Sequence, residues 1–189
     1  MIRSFSGQQE SLFKDCFRDQ SHNRSEVAMD TKNVGMIGLG LMGTALTERL
    51  LEGGYVVWVH NRTREKAEPL VARGARWADN PLAVCERVLI SLYTTDTVAE
   101  MLDRLSEGLR PGQILIDTTT GEPEQTARLG ARLAARGVQY LDAPISGSSE
   151  QTRRGEVTAR SAGISPAAPA RCSSAMLPTL SASSACAAL

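Results

Sequence analysis

The sequence predicts an α/β chain built on a doubly wound parallel sheet, and three observations predict it. Short apolar runs alternate with amphipathic stretches of about 10–15 residues, each long enough for one helix. Glycines punctuate the junctions, at Gly53-Gly54, Gly74 and Gly137. One junction carries three glycines in a fixed spacing, Gly38-Leu39-Gly40-Leu41-Met42-Gly43, between an apolar strand and a helical run.

The elements follow in order. Val34 to Ile37 is the first strand, and the helical run after Gly43 ends at Gly53-Gly54. Tyr55 to Val59 is the second strand and stops at Asn61-Arg62-Thr63. Thr63 to Arg73 is helical, closed by Gly74, because a residue past a helix end favours the left-handed backbone that glycine adopts without strain. Val88 to Leu92 forms the fourth strand, and Thr95 or Asp96 caps a helix running through Glu107. Gln113 to Asp117 is the fifth strand, Glu122-Pro123 opens a helix that Gly137 closes, and Val138 to Leu141 is the sixth. Glu156-Val157-Thr158 reads as the start of a further strand.

The glycine spacing matters because of where it sits. G-x-G-x-x-G leaving a strand, opening a helix and meeting a second strand about 20 residues later is the context of a Rossmann-type dinucleotide site. Gly38 permits the tight turn, Gly40 lets backbone approach a pyrophosphate, and Gly43 lets helix and strand pack closely. Leu39, Leu41 and Met42 complete the turn. The helix start offers N–H groups and partial positive charge to phosphates.

The end of the second strand selects the cofactor. An NAD site places a carboxylate there to bind the ribose 2′-OH, which would repel a 2′-phosphate. No acid lies between Val56 and Arg64; Asn61, Arg62 and Thr63 stand there instead. Guanidinium, amide and hydroxyl groups suit a phosphate. The expected cofactor is NADP(H), with NAD(H) second.

Ligands of such sheets lie beyond the carboxyl ends of the strands. Leu92, Tyr93 and Thr94 follow the fourth strand and are expected over the adenosine ribose and pyrophosphate. Asp117-Thr118-Thr119-Thr120 follows the fifth, where Thr120 is placed to reach a nicotinamide ribose or substrate, or to cap the helix at Glu122. Asp142-Ala143-Pro144-Ile145-Ser146-Gly147-Ser148 follows the sixth, with Ser146, Gly147 and Ser148 placed to hold a substrate carboxylate.

Composition narrows the function. The chain has 189 residues, 42% hydrophobic and 22% charged, with 21 basic and 21 acidic side chains. That balance gives no footprint for nucleic acid or an anionic membrane, and no apolar run reaches the length of a membrane span. Cys16, Cys85, Cys172 and Cys186 form no C-x-x-C pair, and only His22 and His60 could join them. The expectation is a reduced, cytoplasmic chain with no metal site. Residues 1–30 are polar and weakly periodic, a disordered leader, with Met29 the expected start of translation. Residues 31–158 form the NAD(P)-binding domain. More than half of residues 158–189 are Ala or Ser, with no acid and no Lys. That Ala/Ser/Pro-rich tail, 159–189, has no predicted fold, and its abrupt onset near Ala159 suggests a shifted reading frame.

Three motifs in order, G-L-G-L-M-G, I-D-T-T-T-G-E-P and L-D-A-P-I-S-G-S-S-E-Q-T-R-R-G, resemble the β-hydroxyacid dehydrogenase family over residues 32–158. That family includes 3-hydroxyisobutyrate dehydrogenases, tartronate semialdehyde reductases and 6-phosphogluconate dehydrogenases. The resemblance implies hydride transfer between NAD(P) and a small β-hydroxyacid or semialdehyde. It implies cofactor contacts at Gly38 to Gly43, Asn61 to Thr63, Leu92 and Thr120, and carboxylate contacts at Ser146 and Gly147. The stretch W-V-H-N-R-T-R-E-K-A-E with T-G-E-P-E-Q also resembles imine reductases. Two positions depart from the family: Ser148 stands where a second glycine is usual, and Thr152 where alanine is usual. No lysine follows Lys66, so the family's lysine acid/base is expected to be missing from this chain, and its all-α C-terminal domain with it. The expectation is an oxidoreductase domain inactive alone, or a non-enzymatic NADP-binding module, forming a homo-oligomer or completed by another chain.

Overall fold

A computed structural model describes residues 32–159. The readings of the leader and of the Ala/Ser/Pro-rich tail from residue 160 lie outside the described residues. Strand β1 (Asn33–Ile37) leads to helix α1 (Leu41–Glu52) and β2 (Val56–His60). A 3-10 turn (Arg64–Ala67) runs into α2 (Glu68–Ala72), followed by β3 (Arg76–Trp77) and α3 (Pro81–Val84). Then come β4 (Arg87–Ile90), α4 (Thr95–Arg104), β5 (Ile114–Asp117), α5 (Pro123–Ala134) and β6 (Gln139–Asp142). A last group comprises β7 (Ile145–Ser146), α6 (Ser149–Arg154) and β8 (Thr158–Ala159).

The six main strands pair in the order β3-β2-β1-β4-β5-β6, all parallel. The direction of winding reverses between β1 and β4, the crevice where such sheets bind ligands. Side chains alternate between two cores. Val34 and Met36 face one core with Val57, Val59, Leu50 and Leu70. Val88, Ile90 and Leu115 face the other with Val98, Met101, Leu102, Leu129 and Leu133. Burial on both faces explains why the strands read as continuous apolar runs. Each fully buried Leu, Val or Ile contributes roughly 1.5–3 kcal/mol against the cost of ordering the chain.

The helices bury one stripe each. Thr95, Val98, Met101 and Leu102 are the buried residues of α4, the spacing of one helical face. The cap of α4 is Thr94, whose side chain accepts the Thr97 N–H, and not Thr95 or Asp96. Thr95 points inward instead, buried against Thr126. The helix ends at Arg104, before a 3-10 turn at Ser106–Gly108. At α5 the Glu122 carboxylate accepts both the Glu124 and Gln125 N–H groups, so Glu122 is the cap and Thr120 is not. The strand bounds shift by one or two residues, β4 stopping at Ile90 and β6 running to Asp142.

The further strand does not extend the main sheet. Thr158 and Ala159 pair antiparallel with Ser146 and Ile145 in a separate ribbon. Between them α6 packs on α1 through Glu48, whose carboxylate receives Arg153 at 2.6 Å and also pairs with Arg73. No helix among the described residues is long and apolar enough to cross a membrane.

Candidate nucleotide site

The carboxyl ends of five strands lie in register. Ile37 pairs with both His60 and Ile90, Ile90 with Asp117, and Asp117 with Asp142. The first residue past β1, β4, β5 and β6 keeps the ladder going: Gly38 donates to the His60 carbonyl, Ser91 to Ile37, Thr118 to Ile90 and Ala143 to Asp117, at 2.8–2.9 Å. The predicted loops therefore leave from one straight rim.

The three glycines divide as their spacing implies. Gly38 has φ +96°, and a Cβ there would collide with the Ser91 carbonyl oxygen. A Cβ on Gly43 would collide with the Gly38 carbonyl oxygen. Gly40 has nothing within 4 Å of such a position. So Gly38 and Gly43 are closed inward by packing, while Gly40 opens outward. Gly40 stands at the N-cap of α1 with no side-chain hydrogen bond. The first N–H groups of a helix have no partner within it, and no side chain caps these.

Asn61 ties this turn to the loop after β2. Its Oδ1 accepts the Leu39 N–H at 3.1 Å, and its Nδ2 donates to the Thr63 carbonyl at 2.9 Å. Leu39 itself is buried. Arg62 and Thr63 are exposed beside Asn61, and among the described residues Arg62 forms no ion pair. Arg64 is committed elsewhere, its guanidinium 5.1 Å from the centre of the Trp77 ring. Trp77 also lies against His60, ring centres 5.5 Å apart.

The loop after β4 closes over the turn from the other side. Leu92 packs where a Gly38 Cβ would be, and its N–H donates to the Thr119 hydroxyl at 3.0 Å. Tyr93 is 86% exposed and Leu41, in the glycine turn, 80%. Thr120 is exposed too, and its hydroxyl is not spent on a cap.

Beneath these loops lies a buried network that sequence reasoning did not find. Asp117 is 3% exposed; its Oδ1 accepts the Thr119 N–H at 2.9 Å and its Oδ2 the Tyr140 O–H at 2.5 Å. Burial raises the Asp117 carboxyl above the usual carboxylate range, and hydrogen bonds from Thr119 and Tyr140 partly restore it. Tyr140 is pushed up by burial and then by the Asp117 charge. Asp142 is raised by burial and by Asp117. Aspartate beside apolar strand residues was the one available signal, because a lone buried acid demands partners.

The loop after β6 is brought to the glycine turn by α6. Ser146 is exposed on β7, and Gly147 turns the chain with φ +143°. Ser148 forms a capping box, its hydroxyl accepting the Gln151 N–H while its own N–H donates to the Gln151 side chain at 2.8 Å. Thr152 donates to the Ser148 carbonyl and lies 3.1 Å from the Met42 sulfur. The two departures from the family pattern, Ser148 and Thr152, are thus in contact. Elsewhere, an open groove of about 300 Å³ runs between α4 and α5, lined by Ala99, Leu129 and Arg128 among others; it does not include the glycine turn.

The family model for the NAD-binding domain of 6-phosphogluconate dehydrogenase matches residues 33–188. The chain belongs to that family. It is an NAD(P)-binding domain of the β-hydroxyacid dehydrogenase kind that its motifs resemble. A probable 3-hydroxyisobutyrate dehydrogenase-like 1, mitochondrial, of Arabidopsis thaliana is 35% identical over 132 residues, 66% of this chain and 40% of the plant protein. The cytokine-like nuclear factor N-PAC of Xenopus tropicalis is 31% identical over 138 residues, 70% of this chain and 26% of that protein. Among solved structures, a reductive aminase from Aspergillus terreus in complex with NADPH and ethyl-5-oxohexanoate superposes with a TM-score of 0.59 at 30% identity, covering 64% of this chain and 43% of that one. The chain spans less than half the length of each of these.

Proposed function

We propose that this domain binds NADP(H) in preference to NAD(H). In this reading it serves as the cofactor-holding part of an oxidoreductase that moves hydride between NADP(H) and a small β-hydroxyacid or semialdehyde. One observation carries the reading. Gly40 opens outward at an uncapped helix start while, on the same rim, an exposed Arg62, without an ion pair among the described residues, stands where an NAD site has an acid. The NADPH complex of the similar reductive aminase supports the cofactor.

Residue roles follow. The backbone at Gly40, Leu41, Met42 and Gly43 cradles the pyrophosphate, with Gly38 and Leu39 shaping the turn. Arg62 and Thr63 take the 2′-phosphate while Asn61 holds both loops in place. Leu92, Tyr93 and Thr94 cover the ribose and pyrophosphate. Thr120 reaches the nicotinamide ribose or the substrate. Ser146 and Gly147 face the substrate carboxylate, and Ser148 braces them as a cap. The bound cofactor would supply the hydride; the chain's residues bind and orient it.

The test is titration of the full chain with NADPH and NADH by fluorescence or calorimetry. NADPH is expected to bind more tightly, and Arg62→Asp to weaken NADPH by roughly tenfold or more, because it removes a phosphate ion pair and adds a repulsion, and about 1.4 kcal/mol corresponds to each factor of ten. NADH should move little. Equal losses for both nucleotides would overturn the placement of the 2′-phosphate.

A further inference from the structure

The buried network under the rim has a direction. It starts at Tyr140 on β6, whose O–H reaches Asp117 Oδ2 at 2.5 Å. Asp117 Oδ1 takes the Thr119 N–H at 2.9 Å, and the Thr119 hydroxyl takes the Leu92 N–H at 3.0 Å. Leu92 and the Ser91 carbonyl in turn wall the space beside Gly38. Four residues on three consecutive stretches of the sheet thus end on the back of the glycine turn. Thr118 is bound separately, its hydroxyl on the Ile90 carbonyl at 2.8 Å, so the network depends on Thr119 alone.

A carboxylate is a costly residue for packing at this place. An apolar side chain at position 117, like its neighbours Leu115 and Ile116, would fill the end of β5 without burying a carboxylate, but it would leave the buried Tyr140 hydroxyl and Thr119 N–H without their acceptor. What an apolar residue could not do is orient Thr119. Two acceptor oxygens, one held by Tyr140, fix the direction from which the Thr119 backbone and side chain are drawn in, and that sets where the Leu92 N–H must lie.

We propose that Asp117, clamped by Tyr140, is a positioning residue for the nucleotide site, acting through Thr119 to hold the Ser91-to-Thr94 loop against the glycine turn. It touches no ligand itself. The proposal rests on the cofactor reading above for its effect on binding, though not for its effect on the loop.

The experiment uses the full chain, NADPH and NADH as probes, and residue-resolved amide hydrogen exchange without nucleotide. Asp117→Asn and Thr119→Val are expected to weaken both nucleotides by a similar factor, roughly tenfold, leaving their ratio unchanged because the 2′-phosphate end is untouched. Tyr140→Phe should give a smaller loss of the same kind. Thr119→Ser, which keeps the hydroxyl, should bind like the parent. Exchange at the Leu92 amide and its neighbours should quicken in Asp117→Asn and Thr119→Val while the β1 amides stay protected.

Unchanged exchange at Leu92 in both variants would overturn the proposal. So would uniform loss of protection across β1, β4 and β5, which a merely structural acid would produce, or a Thr119→Ser variant as weak as Thr119→Val. If the parent chain bound neither nucleotide, the cofactor reading would fail, and the exchange measurement would still decide whether Asp117 holds the loop.

Discussion

Gly40 and Gly43 make opposite demands on a substituting side chain. A methyl group at position 43 has the Gly38 carbonyl oxygen in its way, whereas one at position 40 meets nothing, on a backbone with φ −74° that any residue adopts. Gly43→Ala is expected to cost about 1–3 kcal/mol of stability through overpacking, and nucleotide binding with it. Gly40→Ala should leave the melting temperature almost unchanged and still weaken NADPH, because its methyl projects where phosphate would approach. Thermal melts and titrations of the two variants separate these outcomes; an equal loss of stability in both would refute the assignment. Cys85 offers a second test. It is fully buried, and burial pushes its thiol up to about 12, with Arg110 opposing weakly. A thiol that holds its proton is a poor nucleophile. Cys85 should therefore resist alkylation at pH 8 in the native chain and react on denaturation, as peptide-level mass spectrometry would show.

Helix α6 is six residues long and too short to hold itself together. It persists through its capping box, through Thr152 against Met42 of α1, and through Glu48, which binds Arg153 and Arg73 at once. The Arg153 side chain is 39% exposed, so the ion pair is partly screened. A double-mutant cycle of Glu48→Gln and Arg153→Gln should give a small favourable coupling that falls with added salt. No coupling would mean that Thr152 and the cap alone dock the helix. At this scale the sequence was legible where elements are long. The apolar runs at 34–37, 88–92 and 113–117 and the helix that follows the glycine turn stand within a residue or two of their expected places, while α4 stops at Arg104, three residues short of Glu107, and the helix expected from Thr63 to Arg73 starts as a 3-10 turn. The misses are short. Arg76–Trp77 forms a strand of two residues, which leaves no room for an alternating pattern, and α6 has no apolar stripe to reveal it. Thr94 caps α4 in place of its neighbours because Thr95 is drawn into the core by Thr126, a tertiary contact that local spacing does not display.

Across the whole molecule, the rim of strand ends was readable because the winding rule fixes it once the strands are known. The wiring beneath it was not, since Tyr140 and Asp117 lie 23 residues apart and meet only when β5 and β6 pair. Nucleotide binding should stabilise the entire fold and not the rim alone, because both cores hang on the same sheet. NADPH at about a hundred times its Kd adds roughly 2.7 kcal/mol to unfolding, so the melting temperature should rise by several degrees, and by less with NADH at the same concentration. A flat response to both would count against the proposed cofactor.

The placing of the indoles has an optical consequence. The chain's two tryptophans, Trp58 and Trp77, sit on the neighbouring strands β2 and β3, and each lies under a guanidinium, Arg76 and Arg64 respectively. Intrinsic tryptophan emission from the domain therefore originates at one side of the sheet, on β2 and β3, and of the far strands β5 and β6 only β6 carries an aromatic residue, Tyr140. Quenching on titration would report the arrival of a ligand at that margin, whereas energy transfer from these indoles to reduced nicotinamide would gauge how far across the sheet the other end of the ligand extends.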